Sequence, residues 1–211
     1  TFENIKAVFK GIDSKAVAND LPKGLAAHFD ASRPSSLVVK DGRIILWRDL
    51  SGSGNDAKEL KEGSGAALLS DGMNHLPMAR FSGKQEFITR KPLQLKELSA
   101  FVVFRREASQ KSEGWQHQLY WDDGKRAAPG SHTLTGGPNG GEETPRILHA
   151  SSDGNFIYPL IIGSNGSIRG YVTGDIGEIL IFNRKDFSAK EVEEIRAYLL
   201  KKWKIEEDDF V

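Results

Sequence analysis

From residue 25 to residue 183 the apolar residues come in short runs, and the breaks between the runs carry Asx-Gly steps. No stretch in that span keeps the 3.6-residue period of a helix, so the chain has to bury its hydrophobic surface by pairing strands. The runs predict strands at Leu25–Phe29, Arg43–Arg48, Met78–Phe81, Glu86–Thr89, Ala100–Arg105, Gln116–Trp121, Ile147–Ala150, Leu160–Gly163, Gly170–Thr173 and Gly177–Asn183. Reversals are expected at Asp41-Gly42, Asp71-Gly72, Asp123-Gly124, Asp153-Gly154 and Asn165-Gly166, because Asn and Asp tolerate the left-handed region and Gly enters it freely. Strands do not alternate with long helices, which argues against a parallel α/β sheet. The expectation is an all-β fold, an antiparallel two-sheet sandwich.

Helical periodicity is confined to the two ends. Ile5, Val8, Phe9 and Ile12 mark a short amphipathic helix before the breakers Asn19, Asp20 and Pro22. At the other end Ser188 and Glu191 have capping-box spacing, and Val192, Ile195, Leu199 and Trp203 follow as an apolar stripe. A helix is predicted over about 188–203, with Lys190, Glu193, Glu194 and Lys201 left to solvent. Lys201, Lys202 and Lys204 lie near the negative end of its dipole. The expected organisation is an N-terminal segment 1–20, one sandwich domain over 21–205 and an acidic tail 206–211. A length of 211 residues suits one such domain.

Charge and composition exclude several classes. Lys+Arg and Asp+Glu balance at 29 each, so the clustered basic surplus of a nucleic-acid binder is missing. There is no Cys, which removes disulfides, zinc-thiolate sites and cysteine nucleophiles. No apolar run is long enough for a membrane-spanning helix. The residues after Thr1 lack the charged-then-apolar pattern of a signal peptide, so any signal peptide is expected to have been removed or never included.

Several segments, in order, carry a resemblance. They are Gly24-Leu25-Ala26-Ala27-His28-Phe29-Asp30-Ala31; the turn Trp47-Arg48-Asp49-Leu50-Ser51-Gly52-Ser53-Gly54-Asn55-Asp56-Ala57; Met78-Ala79-Arg80-Phe81-Ser82-Gly83; Gly174 to Arg184; and the closing helix Ser188 to Trp203. Together they resemble the laminin-G-like jelly-roll domains of the concanavalin A-like lectin/glucanase superfamily, over most of 21–204. The resemblance implies a jelly roll closed by an amphipathic helix. It also implies an accessory module of a larger exported bacterial protein, extracellular, at the cell surface or periplasmic. That superfamily holds sugar binders, calcium-dependent lectins, adhesion modules and glycoside hydrolases, so membership alone does not choose among them.

Two segments have the composition of a site. Sugar recognition uses flat rings against C–H faces, with polar side chains on the hydroxyls, and the segment around Trp115, His117, Gln118, Tyr120 and Asp122 supplies both. Strand alternation there sends Leu119 and Trp121 inward and Gln118 and Tyr120 outward. The turn offers Asp49, Asn55 and Asp56 either as oxygen ligands for Ca²⁺ or as side chains that tie a glycine-rich loop to its own backbone. Asp175 and Glu178 admit the same two roles. Catalytic patterns are missing: the family's E-x-D-x-x-E strand is absent, and odd spacing would place Asp175 and Glu178 on opposite faces of a regular strand. The histidines show no H-x-H or i, i+4 pairing, so a metal site would need convergence over long range.

Three functions follow as expectations. A non-catalytic carbohydrate-binding module comes first. A structural or protein-interaction domain that spaces neighbouring domains is the alternative. A divergent hydrolase using Glu178 with Asp175 or Asp122 is the weakest.

Overall fold

A computed structural model describes residues 21–106, 116–121, 133–136, 145–164 and 171–206. The expected N-terminal helix, Trp115, Asp122, and the Asp123-Gly124 and Asn165-Gly166 steps lie outside the described residues. The strands are β1 (Leu25–Asp30), β2 (Leu37–Lys40), β3 (Arg43–Trp47), β4 (Ala57–Glu59), β5 (Ala67–Leu69), β6 (Met78–Ser82), β7 (Phe87–Pro92), β8 (Leu95–Arg106), β9 (Gln116–Trp121), β10 (Thr133–Gly136), β11 (Pro145–Phe156), β12 (Pro159–Ile162) and β13 (Thr173–Phe182). One helix, α1 (Ala189–Trp203), closes the described chain.

Every strand pair is antiparallel. The hydrogen-bonded order is β10-β9-β12-β7-β4-β3-β5-β6-β13-β8-β11, with β1 on β13 and β2 on β3. The sheet curls on itself so that its two halves face each other as the layers of an all-β sandwich. Trp47, Phe87, Leu160 and Ile162 from one half meet Phe29, Phe81, Val102, Ile179 and Ile181 from the other in a single dry core. Phe29 and Phe87 stand edge-on to Trp47, each with ring centroids 6.0 Å away.

Helix α1 covers the outer face of the β1-β13-β8 half. Ile195, Leu199 and Trp203 pack there against Phe101, Val103, Leu180 and Phe182. This is why the end of β13, Ile179–Phe182, reads as a continuous apolar run: both faces of the strand are buried. The capping box forms as the spacing predicts. The Glu191 N–H donates to Ser188 Oγ at 3.2 Å, and the Ser188 N–H to Glu191 Oε2 at 2.9 Å. That backbone bond from Ser188, with a second hydrogen bond from Arg184, lowers the Glu191 carboxyl to about 2.

Most predicted strands are present, with shifted ends. The Asp41-Gly42 reversal joins β2 to β3 with both residues at positive φ, 50° and 76°. The step at Asp153-Gly154 does not reverse the chain. It lies inside β11, where pairing with β8 slips between Asp153 and Phe156, so an irregularity on an edge strand absorbs the dipeptide. The separate strands expected around 170–173 and 177–183 are replaced by one, Thr173–Phe182. The three-residue strands β4 and β5 were too short to give a period.

Candidate functional site

The glycine-rich turn after β3 is organised by one carboxylate. Asp49 Oδ1 accepts the N–H groups of His28 and Ser51, each at 2.9 Å, and Oδ2 accepts the N–H of Asn55 at 2.9 Å. The Asp49 N–H in turn donates to Asp56 Oδ1 at 3.0 Å, and Asn55 Nδ2 donates to the Ala26 carbonyl at 3.0 Å. Gly52 and Gly54 sit at φ 86° and 72°, so only glycine turns the loop there without strain. For Asp49, Asn55 and Asp56 this favours the backbone tie over Ca²⁺. The cation needs six to eight converging oxygens, and both Asp49 oxygens face N–H donors. Of the two roles open to these residues, the geometry is that of the backbone tie.

The same turn walls a cavity of about 350 Å³. Ser53 and Asn55 line it from the turn, Gly24 to Ala26 from β1, Leu93 and Leu95 from the β7–β8 link, and Asn183 from beyond β13. Among the described residues, no ionisable side chain is in that lining.

A third constellation lies beneath α1. Glu178 is 1% exposed and accepts four hydrogen bonds. His28 Nε2 and Tyr198 Oη donate to its Oε1, each at 2.7 Å; Lys202 Nζ and Trp203 Nε1 donate to Oε2 at 2.8 and 2.9 Å. Lys202 Nζ also reaches Asp30 Oδ2 at 2.7 Å, and Asp30 takes further bonds from Ser32 and Arg33. Burial alone would raise the Glu178 carboxyl. The Lys202 ammonium and the hydrogen bond from His28 outweigh that and hold it well below the usual carboxylate range. Burial likewise works to lower Lys202, and the charges of Glu178 and Asp30 more than offset it, leaving Lys202 raised. Tyr198 is raised by burial and by the neighbouring carboxylates, so it stays a neutral donor.

The long-range convergence that a metal would need does occur, at His28, Asp30 and Glu178, whose ligand atoms lie within 4.8 Å of one another. Lys202 Nζ stands at hydrogen-bond distance from both carboxylates and supplies the positive charge there. One signal for this cluster stands in the sequence: an acidic residue ahead of the apolar run of β13 demands a buried partner. Lys202 carries no such signal, since a lysine in the last turn of a helix also complements the dipole.

Asp175 and Glu178 do not take opposite faces. Pairing of β13 with β8 slips between Ile176 and Glu178, and this bulge at Gly177 turns both carboxylates to the outer side of the sheet. There Asp175, 2% exposed, is held by Arg80 Nε at 2.8 Å and Arg105 Nη2 at 2.6 Å. Arg105, the last residue of the strand expected over Ala100–Arg105, is committed to that pair.

In the predicted sugar-contacting segment, β9 pairs with β12, Leu119 opposite Ile162 and Tyr120 opposite Ile161. Leu119 enters the sandwich core as alternation requires. Gln118 is fully buried rather than presented to solvent, so it does not offer hydroxyl contacts from the surface. Ile161, opposite Tyr120 in the register with β12, is also fully buried. His117 and Tyr120 hold their backbone places in β9.

No family model matches the sequence, and no curated protein matches it. Among solved structures, the chain is similar to domain 4 of AbnA, a GH43 extracellular arabinanase from Geobacillus stearothermophilus in complex with arabinotriose. The TM-score is 0.49 and the identity 13%, over 75% of this chain and 92% of that one. It is also similar to the sialidase of Trypanosoma rangeli in complex with sialic acid, with TM-score 0.49 and identity 10%, over 96% of this chain. The chain spans 38% of the sialidase's length. At this identity and these TM-scores, neither likeness assigns a role.

Proposed function

We propose that the chain is a non-catalytic carbohydrate-binding module of a larger exported bacterial protein, built on the laminin-G-like jelly roll that its segments resemble. The observation that carries the non-catalytic part is the state of the two β13 carboxylates. A glycosidase needs an acid that holds a proton near neutral pH and a carboxylate within reach of the sugar. Glu178 has its proton affinity lowered and all its acceptor positions filled, and Asp175 is clamped between two guanidinium groups. Both serve the fold, which counts against the hydrolase built on that pair. Ring stacking from Trp115 and Tyr120, with His117 and Asp122 bonding hydroxyls, remains part of this reading; Gln118 does not.

Titration of the chain against a glycan array, followed by isothermal calorimetry on the hits, tests it. Binding is expected without turnover of polysaccharide, and with equal affinity in Ca²⁺ and in chelator. A chain that binds no glycan but captures one specific protein would transfer the assignment to an interaction domain.

A further inference from the structure

We infer that the cavity between the 51–55 turn, the start of β1 and Asn183 is a subsite for a neutral saccharide unit, with Tyr158 at its margin as a ring for the next unit. This rests on the glycan-binding reading and gives it a location away from β9.

The lining has three polar groups that the protein itself leaves unused. Asn55 spends Nδ2 on the Ala26 carbonyl, so its Oδ1 is left as an acceptor. Asn183 spends Oδ1 on the N–H of Lys96 at 3.0 Å, so its Nδ2 is left as a donor. Ser53 Oγ, which both donates and accepts, makes no bond within the described residues. Each amide is thus fixed by one backbone bond and presents its other half, so the pair needs little ordering on binding. One acceptor, one donor and one hydroxyl, with no ionisable side chain, suit a ligand whose polar groups are themselves hydroxyls. The described lining holds no counter-charge for an anion; Lys91 Nζ stands outside it, beside Gly54. Leu25, half-buried, offers apolar surface to the C–H face of a sugar ring, while Leu93 and Leu95, 8% and 1% exposed, belong mainly to the core. The volume is at the lower end of small-molecule sites, about 300–1,000 Å³, which suits one or two rings.

Tyr158 is 38% exposed and Ile157 46%, the exposed large hydrophobic residues among those described. Their position follows from register. Phe156 pairs with Leu95 and Pro159 with Pro92, so the 157–158 link passes beside the 93–95 chain that forms the cavity wall.

The test is calorimetry of the full chain against its array hits, for wild type, Tyr158→Ala, Asn183→Ala, Ser53→Trp and Trp115→Ala. Tyr158→Ala should weaken binding about tenfold, the scale of one lost ring contact. Asn183→Ala should weaken it about 2- to 10-fold, the scale of one hydrogen bond. Ser53→Trp, which fills the cavity from an exposed position, should abolish binding. Unchanged melting temperatures in the first two variants would place those losses at the site. Wild-type affinity in all three cavity variants, with loss only in Trp115→Ala, overturns the subsite and leaves the glycan reading standing. Binding confined to sulfated or sialylated glycans and abolished by salt overturns the neutral ligand. Absence of any glycan binding by wild type overturns the reading and the subsite together.

Discussion

Two polar groups of residues in this molecule, one under α1 and one at the 51–55 turn, are finished to different degrees. Under the helix every oxygen of Glu178 has two donors, and Lys202 bridges Glu178 to Asp30. At the cavity, Asn55 and Asn183 are each bonded on one side and open on the other. A buried charge is tolerated only when its partners are complete, whereas an open hydrogen-bonding group costs little while water can reach it. Completion therefore marks a joint of the fold and incompletion marks a place where a ligand can add bonds. The carboxylates that look most chemical in the sequence belong to the first kind, and two asparagines with no catalytic look belong to the second.

The sharpest way to break this contrast is to remove the centre of the finished group. Glu178→Ala leaves His28, Tyr198, Lys202 and Trp203 without their shared acceptor. The expected loss is about 3–5 kcal/mol, the range for breaking a buried ion pair from one side. Urea unfolding measures it, and a loss under about 1 kcal/mol would mean that the cluster is not a joint.

Acidity probes the same residues without a mutation. The folded Glu178 carboxyl is depressed, so its stabilising contribution is complete above the unfolded value of about 4.3. The contribution drains away as pH falls from there toward the depressed folded value. Lys202 is raised, so its contribution is present below about 10.4 and fades as pH climbs through the folded value. Stability measured against pH should fall at both extremes. Glu178→Gln should flatten the acid limb below about pH 5, while an unchanged limb would assign acid unfolding to other carboxylates.

The sheet and helix were legible because their signals are local. The 3.6-residue stripe Ile195, Leu199, Trp203 and the Ser188–Glu191 box specify α1, and the Asp41-Gly42 step specifies its hairpin. Trp47 and Asp49 were readable too: a large ring in an apolar run goes inside, and an Asp ahead of glycines ties a turn. The bulge at Gly177 was not, since one slipped residue reverses which face the following side chains take and leaves no mark in composition. Nor were the cavity, whose lining residues are scattered from 24 to 183, and Tyr158, whose place depends on two pairings distant in sequence.

That bulge gives a middle-sized effect. A Cβ on Gly177 would stand 2.7–2.9 Å from the ring of Trp203, which also donates to Glu178. Gly177→Ala should push the ring off its bond and cost about 1–3 kcal/mol, the range for overpacking a core. The fluorescence of Trp203 should report the shift. A neutral substitution would show that α1 can slide on the sheet, and the finished cluster would then be less rigid than its bonds imply.

The smallest effect belongs to the unfinished region, and its smallness is the point. Tyr158 is exposed, so Tyr158→Ala should move stability by no more than about 0.5 kcal/mol, the usual range at the surface. A residue that served the fold would register in unfolding, as Glu178 must; a residue that serves a ligand registers only in binding. If Tyr158→Ala instead lowered stability by about 2 kcal/mol or more, the 157–158 link would be a structural brace of β12. The division between completed and open polar regions would then fail at the residue where it is easiest to measure.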